Sequence, residues 1–483
     1  MASKFGVEEP YRQKLFVNRK KHLQWIRGMI KQIQSGRIAE SPIVNIWGVR
    51  GIGKSWLISH LQQLYQHDGS FPDELSPTPT FTLFYRFPKE QVSQIDNEDF
   101  VDIFLTQIQK QLQQFFFPYE QAAFEQAGTD REIASLTNLL AILSERFVPV
   151  ILLDQTESVF DDWARLEKSF IEPLAMTNRV VFVIAGRRPI PEWLRFETRR
   201  RVAPLDLSRL NGFTKEDIRE QINRLSGRFP DIDDIYKWSA TSPRIARELL
   251  KESERRLGKD LITSATWKQH QSEILPPVYQ AAVAYLFEGI PDRLIKVLKA
   301  VSALRYYRLE GIRHMLTLQK EEEQPYNYYL KLIRSLEQNT EYVWWNRERR
   351  AYTTSRVVRS LLNQEQLLTN SGLFVQQHQQ AIEMYEGWVN EYPEASEDFI
   401  LEIWFHRANI FTVTEDAEAL EQELKNELAF ALENLGYDRA NALFNQFKTD
   451  TELQDLLPDF LYFTLRTELE DALEEEGRNN RKV

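Results

Sequence analysis

The chain of 483 residues contains no cysteine. Disulfide bonds and thiolate metal sites are therefore excluded, and a reducing compartment fits this composition. The seven histidines show neither an HExxH motif nor another spacing of paired ligands, so we expect no protein-bound transition metal.

Long apolar runs are also missing. Runs such as Val148–Leu153 and Val180–Ala185 have the length of strands and fall far short of the ~20 residues that a membrane helix requires. The segment Met1–Lys14 mixes acids and bases without an apolar core, so we expect neither a signal peptide nor a membrane span. These features predict a cytoplasmic protein.

Positive charge is in deficit as well. The formal net charge of -11 argues against broad nonspecific binding of nucleic acid, because the phosphate backbone repels an acidic protein. The length and the hydrophobic content of 42% predict about three domains.

A glycine-rich loop is the most informative motif that is present. The run Gly48–Ser55 follows the apolar stretch Ile43–Trp47 and leads into a helical pattern. Glycines let backbone N–H groups wrap a polyphosphate, while Lys54 reaches the β and γ phosphates and the hydroxyl of Ser55 binds Mg²⁺. The alternative is a glycine turn without a ligand. The residues predicted to contact ATP or ADP here are Gly48, Gly51, Ile52, Gly53, Lys54, Ser55 and Trp56.

Short apolar runs separated by helical patterns predict a parallel sheet with helices on both faces. The five predicted strands are Ile43–Trp47, Phe81–Phe87, Val148–Leu153, Val180–Ala185 and Val202–Leu205. Ligands of such sheets bind at the carboxyl ends of the strands, where Lys54, Asp154 and Arg187 fall. The sequence therefore predicts an α/β nucleotide-binding domain over residues 1–206.

Two carboxylates follow the third of these strands. Asp154 stands at the strand exit, the usual position of a carboxylate that holds Mg²⁺ and its water, and Glu157 is placed to act as the general base. Two alternatives stay open. Any buried strand can end in aspartate, and Glu157 can serve as a helix cap.

Two arginines, Arg187 and Arg188, follow the next strand. The charged guanidinium group of Arg187 is placed to sense the γ-phosphate that ATP has and ADP lacks. A surface ion pair and a solvated strand end are the alternative interpretations.

Helical periodicity replaces the strand signal from Leu207. We expect a helical lid over residues 207–275, with an N-cap at Thr214 and a second helix near Pro243. Pro276 and Pro277 then predict a break before the next unit. Three helices and the strand pair around the turn Asn346–Arg350 predict a winged helix over residues 285–362. Residues 363–483 predict an all-α region that ends in an acidic, disordered tail from Glu474.

The ordered set of motifs resembles the STAND class of P-loop ATPases, relatives of AAA+ enzymes that include NB-ARC and NACHT proteins. The resemblance covers roughly residues 12–365. It is carried by Phe16-Val17-Asn18-Arg19, the loop Gly48–Ser55, Leu153-Asp154-Gln155-Thr156-Glu157, Ala185-Gly186-Arg187, Leu210 with Gly212-Phe213, and Ser242-Pro243. It implies a five-stranded P-loop NTPase sheet of the ASCE type, followed by a lid and a winged helix.

The resemblance also implies roles for single residues. Val17 and Arg19 match the segment that lines the adenine pocket, although Asn18 replaces the family's glycine. Pro243 matches the lid proline that packs near the adenine or the β-phosphate. Ser355 stands where the winged helix of the family often carries a histidine that contacts the β-phosphate of ADP, so the ADP-bound state is expected to be less tightly locked here.

Three functions fit these observations. The favoured one is a STAND-type switch that binds and slowly hydrolyses ATP and self-associates in the ATP state, with a separate effector or sensor protein as partner. The second is a DNA-binding regulator or DNA-remodelling ATPase that uses basic residues of the winged helix, Arg347, Arg349, Arg350, Arg356 and Arg359. The third is a scaffold that binds nucleotide without hydrolysing it.

Overall fold

In the computed structural model the chain forms two compact units, Met1–Ile274 and Leu275–Val483. At residues 97–102, 114–115 and 475–480 the structure describes the backbone only. The described residues are 10–66, 78–87, 97–115, 133–159, 163–188, 190, 195–203, 210, 212–225, 232–258, 262–317, 324–347 and 349–480. Among them, no helix is both long and apolar enough to cross a bilayer.

A parallel four-stranded sheet forms the centre of the first unit. The strands are β1 (Ile43–Trp47), β2 (Thr80–Arg86), β3 (Val148–Asp154) and β4 (Val181–Gly186). Every residue of β1, β3 and β4 is buried, as expected where helices cover both faces of a sheet. The order β1-β4-β3-β2 places β4 between the strand that leads into the glycine loop and the strand that ends in Asp154.

The predicted fifth strand, Val202–Leu205, is not confirmed, since the described sheet has four strands. Val202 makes one isolated parallel bridge to Ile43, and residues 204–209 lie outside the described residues. A short helix, Phe196–Arg200, and a turn at Arg201 precede this bridge. The bridge does lie on the free side of β1, where a fifth strand would add to the sheet.

Helices make up most of the rest of the first unit, and the last of them continues past Ile274 into the second unit. They are α1 (Lys20–Gln34), α2 (Lys54–Leu64), α3 (Asn97–Phe115), α4 (Ile133–Leu143), α5 (Trp163–Leu166), α6 (Glu172–Met176), α7 (Phe196–Arg200), α8 (Lys215–Leu225), α9 (Ile232–Trp238), α10 (Pro243–Leu257) and α11 (Ser264–Leu286). A π-helical turn, Glu167–Ile171, joins α5 to α6.

The predicted helix starts of the lid region are confirmed. The hydroxyl of Thr214 accepts a hydrogen bond from the backbone N–H of Asp217, whose carboxylate accepts one from the backbone N–H of Thr214. This reciprocal pair is a capping box. Pro243 is the first residue of α10, and the hydroxyl of Ser242 caps the helix by accepting from the backbone N–H of Ile245.

The helix is not interrupted at Pro276 and Pro277, where the sequence predicted a break before the next unit. Both prolines lie inside α11, which continues from Ser264 to Leu286. Proline removes one backbone donor and disfavours a helix interior, so its presence predicted an end that the helix does not show. The division between the two compact units nevertheless falls at Ile274, just before the first proline.

The second unit begins with three helices and a small antiparallel sheet. The elements are α12 (Asp292–Val301), β5 (Tyr306–Tyr307), α13 (Leu309–Thr317), α14 (Tyr326–Asn339), β6 (Val343–Asn346) and β7 (Ala351–Thr354). The three helices lie within the predicted range 285–362, and the β6–β7 hairpin surrounds the predicted turn Asn346–Arg350. The short strand β5, which pairs with β7, was not predicted.

Seven further helices complete the second unit. They are α15 (Arg356–Thr369), α16 (Ser371–Glu391), α17 (Ser396–Thr414), α18 (Ala417–Asn434), α19 (Tyr437–Thr449), α20 (Thr451–Leu456) and α21 (Asp459–Asn480). The backbone is helical as far as Asn480, and residues 481–483 lie outside the described residues, so the disordered tail expected from Glu474 stays a prediction.

A buried ion-pair network lies between the small sheet and these helices. The guanidinium group of Arg305 donates to Glu402 at 2.9 Å and also to Asp450. Arg359 is 3% exposed and donates to Glu452. Burial raises the pKa of Glu452, but the arginines beside it, Arg359 first, lower that pKa to about 2.

Candidate nucleotide-binding site

The glycine loop links the end of β1 to the start of α2 with a backbone that requires glycine. Gly51 and Gly53 have φ angles of 79° and 100°, which side-chain-bearing residues rarely adopt. Gly48 also lies so close to Leu210 that a Cβ atom there would be 3.2 Å from its carbonyl oxygen. The loop therefore has the tight curvature that a phosphate-binding loop needs.

The polar groups of Lys54 and Ser55 lie at the carboxyl ends of the strands, next to the glycine loop and Asp154. The ammonium group of Lys54 donates to the carbonyl oxygens of Gly48 at 2.6 Å and Val49 at 3.0 Å. The hydroxyl of Ser55 donates to the carboxylate of Asp154. The structure thus brings together the two residues that the sequence assigned to Mg²⁺.

Asp154 is a buried carboxylate with several polar partners. It is 1% exposed, and burial raises its pKa, whereas Arg86, Ser55 and Lys54 lower it. Arg86 donates to its Oδ2 atom over 3.2 Å. Two oxygen ligands, a hydroxyl and a carboxylate, therefore converge in a site that suits a hard cation such as Mg²⁺.

Glu157 and Arg187 form a pair beside this carboxylate. The Nε atom of Arg187 lies 2.9 Å from one carboxylate oxygen of Glu157, and the backbone N–H of Arg187 donates to the other over 3.0 Å. Each side chain is 20% exposed. The ion pair that was one alternative interpretation of Arg187 is therefore present, and its partner is the predicted base.

The N-terminal segment reaches the loop through Arg19. Its guanidinium group donates to the carbonyl oxygen of Ile52 at 2.6 Å and lies 5.2 Å from the ring centroid of Phe213. Burial lowers the pKa of Arg19 to about 10, although Asp217 opposes the shift. Val17 and Ile52 are both buried. The side chain of Ile52 packs inside the loop, where a Cβ atom on Gly48 would lie 3.3 Å from its Cγ2 atom.

An aromatic cluster, which the sequence analysis did not identify, flanks Trp56 on α2. Tyr11 packs edge-on against Trp56 with the ring centroids 5.6 Å apart, and its hydroxyl bonds to His60. Phe16 stacks on His60 at 4.1 Å. From α10, the guanidinium group of Arg247 lies 5.7 Å from the ring of Trp56.

The start of α10 touches the glycine loop directly. A Cβ atom on Gly51 would lie 3.2 Å from Cδ and 3.3 Å from Cβ of Arg244, so the arginine stem packs on the loop. Pro243, the predicted contact, sets the first turn of this helix, and its carbonyl oxygen accepts from Gln221 at 2.9 Å. Arg244, the next residue, is the cation that the helix presents to the loop.

Ser355 belongs to the second unit. It is buried at the start of α15, and its backbone N–H donates to the carbonyl oxygen of Tyr342 at 2.8 Å. Its assignment to the β-phosphate of ADP stays a prediction.

The basic residues around the β6–β7 hairpin have acidic partners within the second unit. Arg349 donates to Asp398 and to Gln446, and Arg356 donates to Asp455 at 2.9 Å. Arg359 is buried against Glu452, as described above. These ion pairs neutralise three of the five arginines that the DNA-binding hypothesis requires.

Comparisons with known proteins give low similarity. No family model matches the chain, and no curated protein matches it. Among solved structures, Cdc6p from Pyrobaculum aerophilum has 15% identity and a TM-score of 0.33 over 75% of this chain and 98% of that chain. Orc1 from Aeropyrum pernix in complex with DNA has 13% identity and a TM-score of 0.37 over 74% and 98%. A RuvB mutant from Thermotoga maritima has 12% identity and a TM-score of 0.31 over 71% and 94%. At these scores the similarity assigns no function to the chain.

Sequence analysis missed two arginines of the site. Arg86 ends β2, and the parallel register sets it beside Asp154 on β3. The rule that strand ends meet at one sheet edge could have identified it. Arg244 follows the lid proline directly, and its cationic side chain in the first turn of a helix was the available signal.

Proposed function

We propose that the protein is an ATP/ADP-dependent switch of the STAND type that binds and slowly hydrolyses ATP. One observation carries the proposal. Glycines with positive φ angles shape the loop, and the ammonium group of Lys54 donates a hydrogen bond to a carbonyl oxygen of that loop. The next residue, Ser55, is hydrogen-bonded to the buried carboxylate of Asp154.

The residues divide the work of nucleotide binding. The loop N–H groups, the positive end of α2 and Lys54 bind the phosphates, and Arg244 adds a second cation from the lid side of the loop. Arg19 fixes the loop from the N-terminal side by bonding to Ile52. Ser55 and Asp154 would hold Mg²⁺, which neutralises phosphate charge when bound.

The Glu157–Arg187 pair supports slow hydrolysis. A general base must accept a proton from water, and both carboxylate oxygens of Glu157 already accept from Arg187. Catalysis therefore requires that Arg187 leave Glu157 for another anion, and the γ-phosphate is the anion expected at this sheet edge. Turnover is limited by this exchange.

The contact between Arg244 and Gly51 gives a physical link between the bound nucleotide and the conformation of the protein. Because Arg244 packs on Gly51, a change in phosphate charge at the loop acts on the start of α10. ATP and ADP then shift the population of two conformations by the difference in their affinities for each. We propose that the ATP-bound form self-associates and that a separate effector or sensor protein completes the system. We also propose that the second unit contains the winged helix, with Ser355 at the ADP phosphate.

Sedimentation of the purified chain in ATP·Mg²⁺ and in ADP tests the switch. Wild type is expected to form a larger species in ATP, whereas Lys54→Ala keeps one size in both nucleotides. Lys20→Ala removes an exposed lysine on α1 and serves as the matched control. Equal sizes of wild type in both nucleotides would overturn the switch.

The two other hypotheses predict different results. A DNA-binding protein would show an affinity for duplex DNA that falls steeply with salt, which the ion-paired arginines of the hairpin do not favour. A nucleotide-binding scaffold would show the same negligible turnover in wild type and Glu157→Gln. A Glu157-dependent turnover without binding of DNA supports the switch.

A further inference from the structure

A cleft of about 320 Å³ opens among α16, α17 and α18 in the second unit. Its apolar part is formed by Val389, Ile400 and Ile403, with Phe430 at 44% exposure on the rim. Its volume lies at the small end of the range of ligand pockets, so it suits one or two inserted side chains rather than a larger molecule.

The polar part of the cleft has an excess of negative charge. Arg407 donates to Glu423 at 2.9 Å, to Glu386 at 3.3 Å and to Glu427. One guanidinium group thus serves three carboxylates. The Oε2 atom of Glu427 is buried and has no hydrogen-bond partner among the described residues.

Crowding of carboxylates affects Glu427 directly. Burial raises its pKa to about 7, and Glu386 and Glu423 act in the same direction against Arg407. A second cation in the cleft would relieve this repulsion, since it would pair with the free oxygen of Glu427 and with the half-exposed carboxylates of Glu386 and Glu423.

The sequence around the cleft has the same charge bias. Residues 363–483 contain 26 acidic and eight basic residues, a net charge of -18, whereas residues 1–362 contain 45 acidic and 52 basic residues, a net charge of +7. An acidic surface of this size attracts a basic protein segment over a long range and repels nucleic acid.

We propose that this cleft, formed by Val389, Ile400, Ile403, Arg407, Glu427 and Phe430 with Glu386 and Glu423 at its edge, binds a segment of a partner protein that presents an arginine or lysine beside an apolar side chain. The cation pairs with Glu427 and Glu423, and the apolar side chain packs against Phe430 and the isoleucines. The cleft belongs to the second unit, whereas the proposed nucleotide loop belongs to the first.

Calorimetric titration of the full chain with a defined peptide tests the proposal. The probe is Ac-Ala-Leu-Arg-Phe-Ala-amide, and its control replaces arginine by citrulline, which keeps the shape and removes the charge. We expect saturable binding of the arginine peptide below about 2 mM and an affinity for the citrulline peptide that is about ten-fold lower, the loss expected for one charge-assisted hydrogen bond.

Variants of α18 connect the binding to the cleft. Glu427→Gln and Glu423→Gln are each expected to weaken the arginine peptide about ten-fold, and Phe430→Ala about three-fold or more. Glu433→Gln changes the charge equally at an exposed position on the same helix outside the cleft lining and should leave the affinity within about two-fold. Circular dichroism confirms that each variant is folded.

Three results would overturn the proposal. These are equal binding of the arginine and citrulline peptides, unchanged binding by both glutamine variants of the cleft, and no binding at all. A fourth is a change in the sedimentation of the chain alone on Glu423→Gln, because the cleft would then be occupied by a second copy. None of these results depends on nucleotide, so they are distinct from failure of the switch.

Discussion

Alanine substitution at three glycines separates the effects that shape the glycine loop. Gly28 lies exposed in α1 with open space where a methyl group would stand, so Gly28→Ala should stabilise the first unit by about 0.5–1 kcal/mol through helix propensity. Gly53 also has open space but a φ of 100°, so Gly53→Ala should cost about 1–2 kcal/mol of backbone strain. Gly51 has a φ of 79° and would bring its methyl group to 3.2–3.3 Å from Arg244, which adds about 1 kcal/mol more.

Scanning calorimetry measures this order. For a unit of this size each kcal/mol moves the transition by about 2 °C, so Gly51→Ala should melt about 2 °C below Gly53→Ala, and Gly28→Ala should melt above wild type. Gly51→Ala should also weaken ATP binding, whereas Gly28→Ala should not. If Gly51→Ala were as stable as Gly28→Ala, the left-handed loop and its contact with Arg244 would both be refuted.

Three further substitutions test other parts of the structure. Burial raises the pKa of Glu427 to about 7, whereas its pKa in the unfolded chain is about 4.5. Between these two pH values the folded form keeps a proton that the unfolded form has lost. The contribution of Glu427 to the free energy of unfolding is therefore fully present below about pH 4.5 and is lost as the pH rises through 7. Urea unfolding should therefore show that wild type loses up to about 3 kcal/mol of unfolding free energy between pH 5 and 8, whereas Glu427→Gln loses much less. Equal losses in the two proteins would contradict this. Glu452→Gln leaves the buried Arg359 without its carboxylate and should cost the second unit about 3–5 kcal/mol by calorimetry, and a loss below about 1 kcal/mol would refute a buried pair. Glu157→Gln should abolish ATP turnover while ATP binding stays within about two-fold and stability within about 1 kcal/mol, because its pair with Arg187 is partly exposed; unchanged turnover would exclude Glu157 as the base.

Local patterns predicted the elements of the fold better than their arrangement. The four strands of the sheet coincide with the predicted runs. In β1, β3 and β4, which are buried on both faces, nearly every side chain is apolar. The same uniformity leaves no alternation from which strand order or register could be read. The segment at Val202 has the composition of a strand and makes only one bridge in the described residues, and the prolines of α11 lie within a continuous helix.

Contacts within the site could be predicted where a structural rule relates positions in the sequence to positions in the fold. Strand ends of a parallel sheet share an edge, so the meeting of Ser55 with Asp154 and of Glu157 with Arg187 followed from their positions after strands. Contacts made by distant segments had no such rule. The packing of Arg244 on the loop depends on where α10 lies, which no local pattern specifies.

Equilibrium titration of the chain with ATP·Mg²⁺ tests the central claim most directly, with Lys54→Ala and Lys20→Ala measured beside wild type. We predict one saturable site per chain in wild type and Lys20→Ala, and a loss of about 100-fold or more in Lys54→Ala, since that lysine supplies a partly buried charge to the phosphates. Wild type that takes up no nucleotide, or Lys54→Ala that binds as tightly as wild type, would contradict the claim that the loop from Gly48 to Ser55 holds a nucleotide.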